Sequence, residues 1–427
     1  MQVYKYPDRA SWDTILKRPE TSKKCIDKTV KKILQNVQEK GDKALFKYAR
    51  KFDGVELDSL AVTPKEIKEA ASLLPTKLKD AIRLAAANIE TFHRSQLTEK
   101  KAIETMPGIY CWRKAVPIES AGLYIPGGTA PLFSTVLMLG IPAKIAGCQK
   151  VVLCTPPAKD GTVHPAILFA ADLCGITCIF KTGGAQAIAA MAFGTDSIPK
   201  TVKIFGPGNK YVMMAKQIVQ QFGTAIDLPA GPSEVMIIAD ETANPEFVAA
   251  DLLSQAEHGP DSQVVLVTNN TDLAEMAIKS LQKQLKDLPR KKIARKALKS
   301  SKLIFTKTLD ECLAVSNQYA PEHLILACDG AEQLAEKVQS AGSVFIGHYS
   351  PESAGDYASG TNHTLPTNGF AAMHSGVSQD SFVKKITFQQ LTIKGLQSIG
   401  PSVMTMAEYE GLVGHKDAIT VRLKELI

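Results

Sequence analysis

At 427 residues the chain is too long for one hydrophobic core and is expected to divide into two or three domains. Its 45% hydrophobic and 22% charged content is that of a globular protein, no run is apolar enough to span a bilayer, and residues 1–19 lack the apolar core of a secretory signal. Much of the formal net charge of +7 sits within residues 283–302, where no aromatic is interleaved, so the segment reads as a solvated helix surface rather than a nucleic-acid patch.

Residues 22–52 and 63–99 are charge-rich with apolar residues at helical spacing, which predicts long helices used for packing and association. Residues 118–346 then alternate short β-rich runs with helical stretches, the pattern of parallel α/β layering. Strands are expected at 120–125, 151–154, 178–181, 202–205 and 226–228, and in a second series at 235–239, 263–268, 303–306, 323–326 and 343–346. Two such series predict two open-sheet domains of similar build, with a boundary near Ala230-Gly231-Pro232-Ser233. A polar, glycine-rich stretch follows at 347–376, and the tail reads helical at 402–410 and from Lys416 onward. That tail is too small to fold alone and has to dock on its own chain or on a partner. The eight cysteines form no Cys-x-x-Cys pair, and several, such as Cys154, lie in apolar runs; buried free thiols of a reducing cytoplasm are expected.

In open parallel sheets ligands bind beyond the carboxyl ends of the strands, so the loops after the strands are the places for chemistry. Three of them carry glycines ahead of a helix: Tyr124-Ile125-Pro126-Gly127-Gly128-Thr129-Ala130-Pro131, Thr182-Gly183-Gly184-Ala185-Gln186 and Gly206-Pro207-Gly208-Asn209. Each offers amide N–H groups to an anion such as a pyrophosphate. None completes Gly-x-Gly-x-x-Gly, because position 211 is tyrosine, and plain tight turns would read the same.

The run Ser254-Gln255-Ala256-Glu257-His258-Gly259-Pro260-Asp261 ends a helix. Gln255 and His258 are three apart and converge on one point, such as a metal ion, if the last turn stays helical; a polar C-cap with a half-exposed histidine fits the same residues. In Tyr319-Ala320-Pro321-Glu322-His323-Leu324, neighbouring strand residues point to opposite faces, so Glu322 and His323 share a site only where Pro321 makes the segment irregular. There a histidine takes a proton and a glutamate activates a water; a strand-end histidine beside a solvated glutamate is the alternative. In the long polar loop 347–366, Asp356 stands between two glycine turns as a candidate metal carboxylate. Glu410 and His415 put a second carboxylate and histidine in the tail.

Eight ordered segments, 122–131, 183–194, 205–209, 229–234, 254–262, 320–324, 350–366 and 410–416, together resemble the histidinol dehydrogenase family over nearly the whole chain. The resemblance implies oxidation of L-histidinol through a bound aldehyde to L-histidine, the end of histidine biosynthesis, with two NAD per turnover and one zinc per subunit. It implies zinc ligation by Gln255, His258, Asp356 and His415, with His323 as general base and Glu322 activating water. Implied substrate contacts are Ser233, Gln255, His258, His323, Asp356, Glu410 and His415, and implied NAD contacts are Tyr124, Gln186 and Asn209.

It further implies a cytoplasmic homodimer in which His415 completes the partner's site, with no nucleic-acid or membrane partner. The fold expected is α/β, two open parallel-sheet domains of incomplete Rossmann-like type with a helical N-terminal and a small C-terminal extension. The division is an arm at 1–21, a discontinuous first α/β domain at 22–115 plus 234–378, an NAD-binding α/β domain at 116–233, and a tail at 379–427 docked on the partner subunit. Two other classes stay open at this point. A zinc hydrolase would use similar ligands beside a glutamate but leaves the three glycine turns unexplained, and a non-catalytic α/β binding protein would not need His323.

Overall fold

The computed structural model describes residues 1–18, 23–127, 131–229 and 231–425. Residue 22, residues 128–130 of the first glycine turn and residue 230 of the expected boundary lie outside the described residues. The chain gathers into two compact units, Met1–Gln96 with Ile118–Phe382, and Leu97–Pro117 with Val383–Ile427. In chain order the strands are β1 (Gln2–Lys5), β2 (Ile103–Met106), β3 (Ile109–Pro117), β4 (Ser120–Tyr124), β5 (Lys150–Thr155), β6 (Cys178–Lys181) and β7 (Lys203–Phe205). There follow β8 (Ala225–Ile226), β9 (Glu234–Ala239), β10 (Gln263–Thr268), β11 (Lys302–Phe305), β12 (His323–Ala327), β13 (Ser343–Ile346) and β14 (Val383–Leu391).

The first unit holds two parallel sheets, ordered β6-β5-β4-β7-β8 and β1-β11-β10-β9-β12-β13. Every strand expected between residues 118 and 346 is present to within two residues. The reason is burial on both faces, which demands an apolar residue at every position rather than at alternate ones. In β9, Val235, Ile237 and Ala239 pack into the core on one side, and Met236 and Ile238 into the core on the other. Helices cover both faces of each sheet in the same way. The open, parallel α/β class is therefore as expected, and no helix among the described residues is long and apolar enough to cross a membrane.

Several local expectations need correction. The segment 22–52 is not one helix: Lys23–Lys40 and Asp42–Tyr48 are separated by Gly41 in a left-handed conformation (φ +50°). The segment 63–99 breaks at Pro75 into Pro64–Ala70, capped by Thr63 and Glu66, and Thr76–Arg94. The stretch 347–366 is not loop throughout, because Glu352–Tyr357 is a short helix. The first helix of the tail begins earlier than expected, spanning Ile393–Tyr409, and is followed by Val413–Lys424.

The second unit also contains strands absent from the sequence reading. There β14 pairs antiparallel with β3 over nine residues, Val383 to Leu391 opposite Pro117 to Ile109, with Trp112 stacked on Phe388 at 5.5 Å. On the other side of β3 lies β2.

One partly buried acid gives a test of the packing in the first unit. Asp251, on the helix Pro245–Ala256, has its carboxyl pushed up to about 7 by burial. The folded carboxyl keeps its proton to about pH 7, whereas the unfolded one releases it near pH 4. The stability it contributes is thus complete below pH 4 and is lost as pH rises through 7. Asp251→Asn is expected to raise the melting temperature by a few degrees at pH 8 and to leave it unchanged near pH 4, read by thermal denaturation of both proteins at both pH values.

Candidate active site

The two sheets of the first unit turn opposite edges toward one cavity of about 1190 Å³. Pro126, Gly206, Pro207, Gly208 and Asn209 reach it from beyond the carboxyl ends of β4 and β7; Ser233, Ser262 and Glu322 reach it from before the amino ends of β9, β10 and β12. The cavity thus lies beyond the carboxyl ends of the first sheet, where a ligand site was expected, but before the amino ends of the second.

On the carboxyl side, Gly206 (φ +120°) lies so close to the Tyr124 carbonyl that any Cβ would collide with it. Buried beneath this turn, the Lys216 ammonium pairs with Asp227 and donates to the Gly206 carbonyl at 2.8 Å, and the Gly206 N–H donates to Asp227 at 2.8 Å. Asn209 caps the helix Lys210–Val219, its Oδ1 accepting from the N–H groups of Tyr211 and Val212 at 3.0 and 3.2 Å, and it stands exposed. Tyr124 and Gln186 are buried in the structure around this edge instead, and the Tyr124 hydroxyl accepts from the Gly184 N–H at 3.1 Å.

On the amino side, Asn244 and Pro245 start the helix Pro245–Ala256, Asn244 accepting from the Glu246 N–H at 2.8 Å, and Gly259-Pro260 follow its end. Gln255 lies in its last turn, and the His258 N–H donates to the Gln255 carbonyl at 3.2 Å. The short helix Glu352–Tyr357 places Glu352 and Asp356 four apart on one face. His258, Glu352 and Asp356 each bring a ligand atom within 4.8 Å of the others. With its amide turned to satisfy both neighbours, Gln255 donates to Glu352 Oε1 at 2.5 Å and accepts from the Glu234 N–H at 2.9 Å.

Ala320 adopts a left-handed conformation (φ +51°, ψ +68°) just before Pro321, and the strand alternation is broken there. Glu322 and His323 both turn inward onto one residue. The Glu234 N–H donates to Glu322 Oε2 at 2.8 Å, and the Glu234 carbonyl accepts from His323 Nδ1 at 3.0 Å. With Nδ1 committed as the donor, Nε2 is the nitrogen left to take up or release a proton; it is buried, and Asp356 Oδ1 lies 3.5 Å from it.

Burial pushes the Glu322 carboxyl up to about 8 and holds that of Glu352 well above its usual range. Burial acts to lower His323, yet Glu322, Glu352 and Asp356 together hold it well above the ordinary histidine value. For Asp356, burial is outweighed by the contact with His323, and its carboxyl is held low. His258 and His363 are pushed down by burial, which favours the neutral, ligating form of His258. Glu352 Oε2 is buried and has no partner. One imidazole, two carboxylates and an adjoining amide, crowded and under-neutralised, are a donor set that fits a divalent ion such as zinc.

Ser233, His258, Glu322 and Asn209 thus border the same cavity, with His323, Asp356 and Gln255 gathered about its amino side. Glu410 and His415 belong to the second unit, where both are exposed. Glu352 was missed by the sequence reading, although its spacing from Asp356 was a visible signal once a helix is drawn there. His363, which bonds the Asp356 carbonyl through Nδ1 at 2.8 Å and Thr135 Oγ1 through Nε2 at 3.0 Å, offered no local signal. Nor did Arg18 or Glu234. Because breaking a buried ion pair strands the remaining charge, Lys216→Met is expected to cost about 3–5 kcal/mol of stability, measured as a lower denaturant midpoint.

The histidinol dehydrogenase family model matches residues 16–423. A histidinol dehydrogenase of Bacteroides fragilis is 59% identical over 426 residues, 100% of both chains, and that of Salmonella typhimurium is 53% identical over 415 residues, 96% of this chain and 95% of its own. The crystal structure of the histidinol dehydrogenase of Elizabethkingia anophelis superposes with a TM-score of 0.98 at 56% identity, covering 100% of this chain and 98% of that one. With a match that runs the length of the chain in sequence and in backbone alike, the chain belongs to the histidinol dehydrogenase family.

Proposed function

We propose that this oxidoreductase converts L-histidinol to L-histidine through a bound aldehyde, passing hydride to NAD at each of two oxidations, in the cytoplasm where its eight free thiols stay reduced. The observation that carries the chemistry is the placement of His323, buried with Nδ1 tied to main chain and Nε2 turned toward Asp356 as the one nitrogen that can exchange a proton with the substrate. Gln255, His258 and Asp356, with His415 of the partner subunit, are the zinc ligands of this reading, and Glu352 is a further carboxylate at hand. When bound, zinc supplies a cation that anchors and orients the substrate's amine and imidazole nitrogens.

The chain's own residues carry the rest. Ser233 and the partner subunit's Glu410 hold the substrate, while Tyr124, Gln186 and Asn209 serve the NAD side. His323 takes the hydroxyl proton as hydride leaves the carbinol carbon for the nicotinamide. Glu322, whose carboxyl is pushed up to about 8 by burial, draws in its ionised form a proton from water as that water adds to the aldehyde. The hydrate is again an alcohol, and His323 deprotonates it for the second hydride transfer. Both residues hang from Glu234, so one geometry serves both oxidations.

The defining assay is absorbance at 340 nm with L-histidinol: two NADH per histidine are expected, lost with a chelator and restored by zinc, and a ratio of one contradicts the scheme. His323→Ala is expected to lower kcat by about 10²–10⁴-fold with circular dichroism unchanged. Glu322→Gln is expected to slow aldehyde oxidation more than alcohol oxidation, measured by supplying each substrate separately. Verified heterodimers of His415→Ala and His258→Ala chains should recover activity that neither homodimer has; no recovery would refute a shared site.

A further inference from the structure

Resting on the assignment of Glu322 and His323 just given, we infer that Arg18 is a positioning residue for that pair, acting through Glu234. The main chain of Glu234 is the common anchor of the site. Its N–H serves Glu322 at 2.8 Å and Gln255 at 2.9 Å, and its carbonyl holds His323 Nδ1 at 3.0 Å. Any shift of this residue moves the water-activating acid, the base and a metal-side amide together. Yet Glu234 is the first residue of β9: the Gln263 N–H donates to the Ser233 carbonyl at 3.2 Å just before it, while its own N–H and carbonyl are turned toward Glu322 and His323.

The side chain adds a second hold. The Glu234 carboxylate is buried and receives the guanidinium of Arg18 in a fork, Nε to Oε1 at 2.5 Å and Nη2 to Oε2 at 2.8 Å, with the Asn368 N–H on Oε1 at 3.2 Å. The same guanidinium reaches the segment that delivers the pair. Nη2 donates to the Tyr319 carbonyl at 2.8 Å and to the Ala320 carbonyl at 3.4 Å, and the group lies over the Tyr319 ring, 3.8 Å from its centroid. Ala320 is the residue in the strained left-handed conformation, a state that persists only where its surroundings impose it.

One planar cation therefore clamps the strand end that offers the N–H and carbonyl to the turn that offers Glu322 and His323. Lysine, a point charge without the fork, cannot make both sets of contacts. The arm that carries Arg18 is itself fastened, since Lys302 Nζ donates to the Lys17 carbonyl at 3.0 Å.

The test compares Arg18→Lys, Arg18→Gly and Glu234→Gln with the parent as the zinc-loaded full-length enzyme. Arg18→Lys is expected to lower kcat on the order of 10²-fold, with KM for histidinol and NAD changed by less than about threefold and zinc content unchanged. Millimolar guanidinium, but not potassium, is expected to restore part of the Arg18→Gly loss. Arg18→Lys and Glu234→Gln should be non-additive when combined.

A readout independent of turnover is the ¹⁵N spectrum of labelled histidines, in which the Nδ1-protonated signal of His323, assigned with His323→Asn, should be lost or broadened in Arg18→Lys. Unchanged kcat with a lowered melting temperature, KM raised with kcat intact, or additive effects would overturn the proposal. If the parent forms no NADH from histidinol, the functional reading fails, and the histidine spectrum still decides the clamp.

Discussion

Acids buried side by side repel one another unless each is given a partner, and the amino edge of the sheet from β1 to β13 is built around supplying those partners. Glu234 has the fork of Arg18, Glu322 has a main-chain N–H, and Asp356 has the imidazole of His323. Glu352 is left with the amide of Gln255 on one oxygen and nothing on the other, and burial holds its carboxyl well above the usual range. An uncompensated charge in such a place costs several kcal/mol, so this corner favours a cation or a retained proton.

The cavity has two unlike ends because the sheets face it with opposite edges. At the carboxyl edge of β7 the helix Lys210–Val219 begins, and the positive end of its dipole lies toward the ligand space. At the amino edge of β9 and β10 the helix Pro245–Ala256 finishes, and its negative end lies beside Gln255 and His258. Backbone polarity alone thus favours phosphate at one end and a cation at the other, before any charged side chain is considered. Glycine turns suit the first end, where main chain has to approach a ligand; side-chain donors dominate the second.

What could be read from the amino acids follows the same physics. The strands of both parallel sheets were legible because a strand covered on both faces has to be apolar throughout, as in Val235 to Ala239. The exposed strands were not: β14, with Lys384, Lys385, Gln389 and Gln390, carries no such run and is defined by its distant partner β3. In the site, the spacing of Gln255 and His258 and the irregularity at Pro321 were readable as local chemistry. Glu352 was hidden by reading its helix as loop, and Arg18 by its remoteness in sequence from Glu234 and Tyr319. Main-chain anchoring through Glu234 has no sequence signature, since any residue type presents an N–H and a carbonyl.

The pairing of β3 with β14 also bears on how the molecule is made. Ile109 to Pro117 is translated well before the segment that pairs along its whole length, Val383 to Leu391, because strands β4 to β13 of the two α/β sheets are encoded between them. At ~5–20 residues per second this leaves a nine-residue edge bearing Tyr110 and Trp112 unmatched for tens of seconds, while the intervening α/β layers condense. An open edge of that length is a docking point for other nascent chains. Biogenesis, rather than the finished fold, is where this architecture is most exposed to misassembly, and chaperone supply during synthesis should govern yield more than the stability of the completed protein.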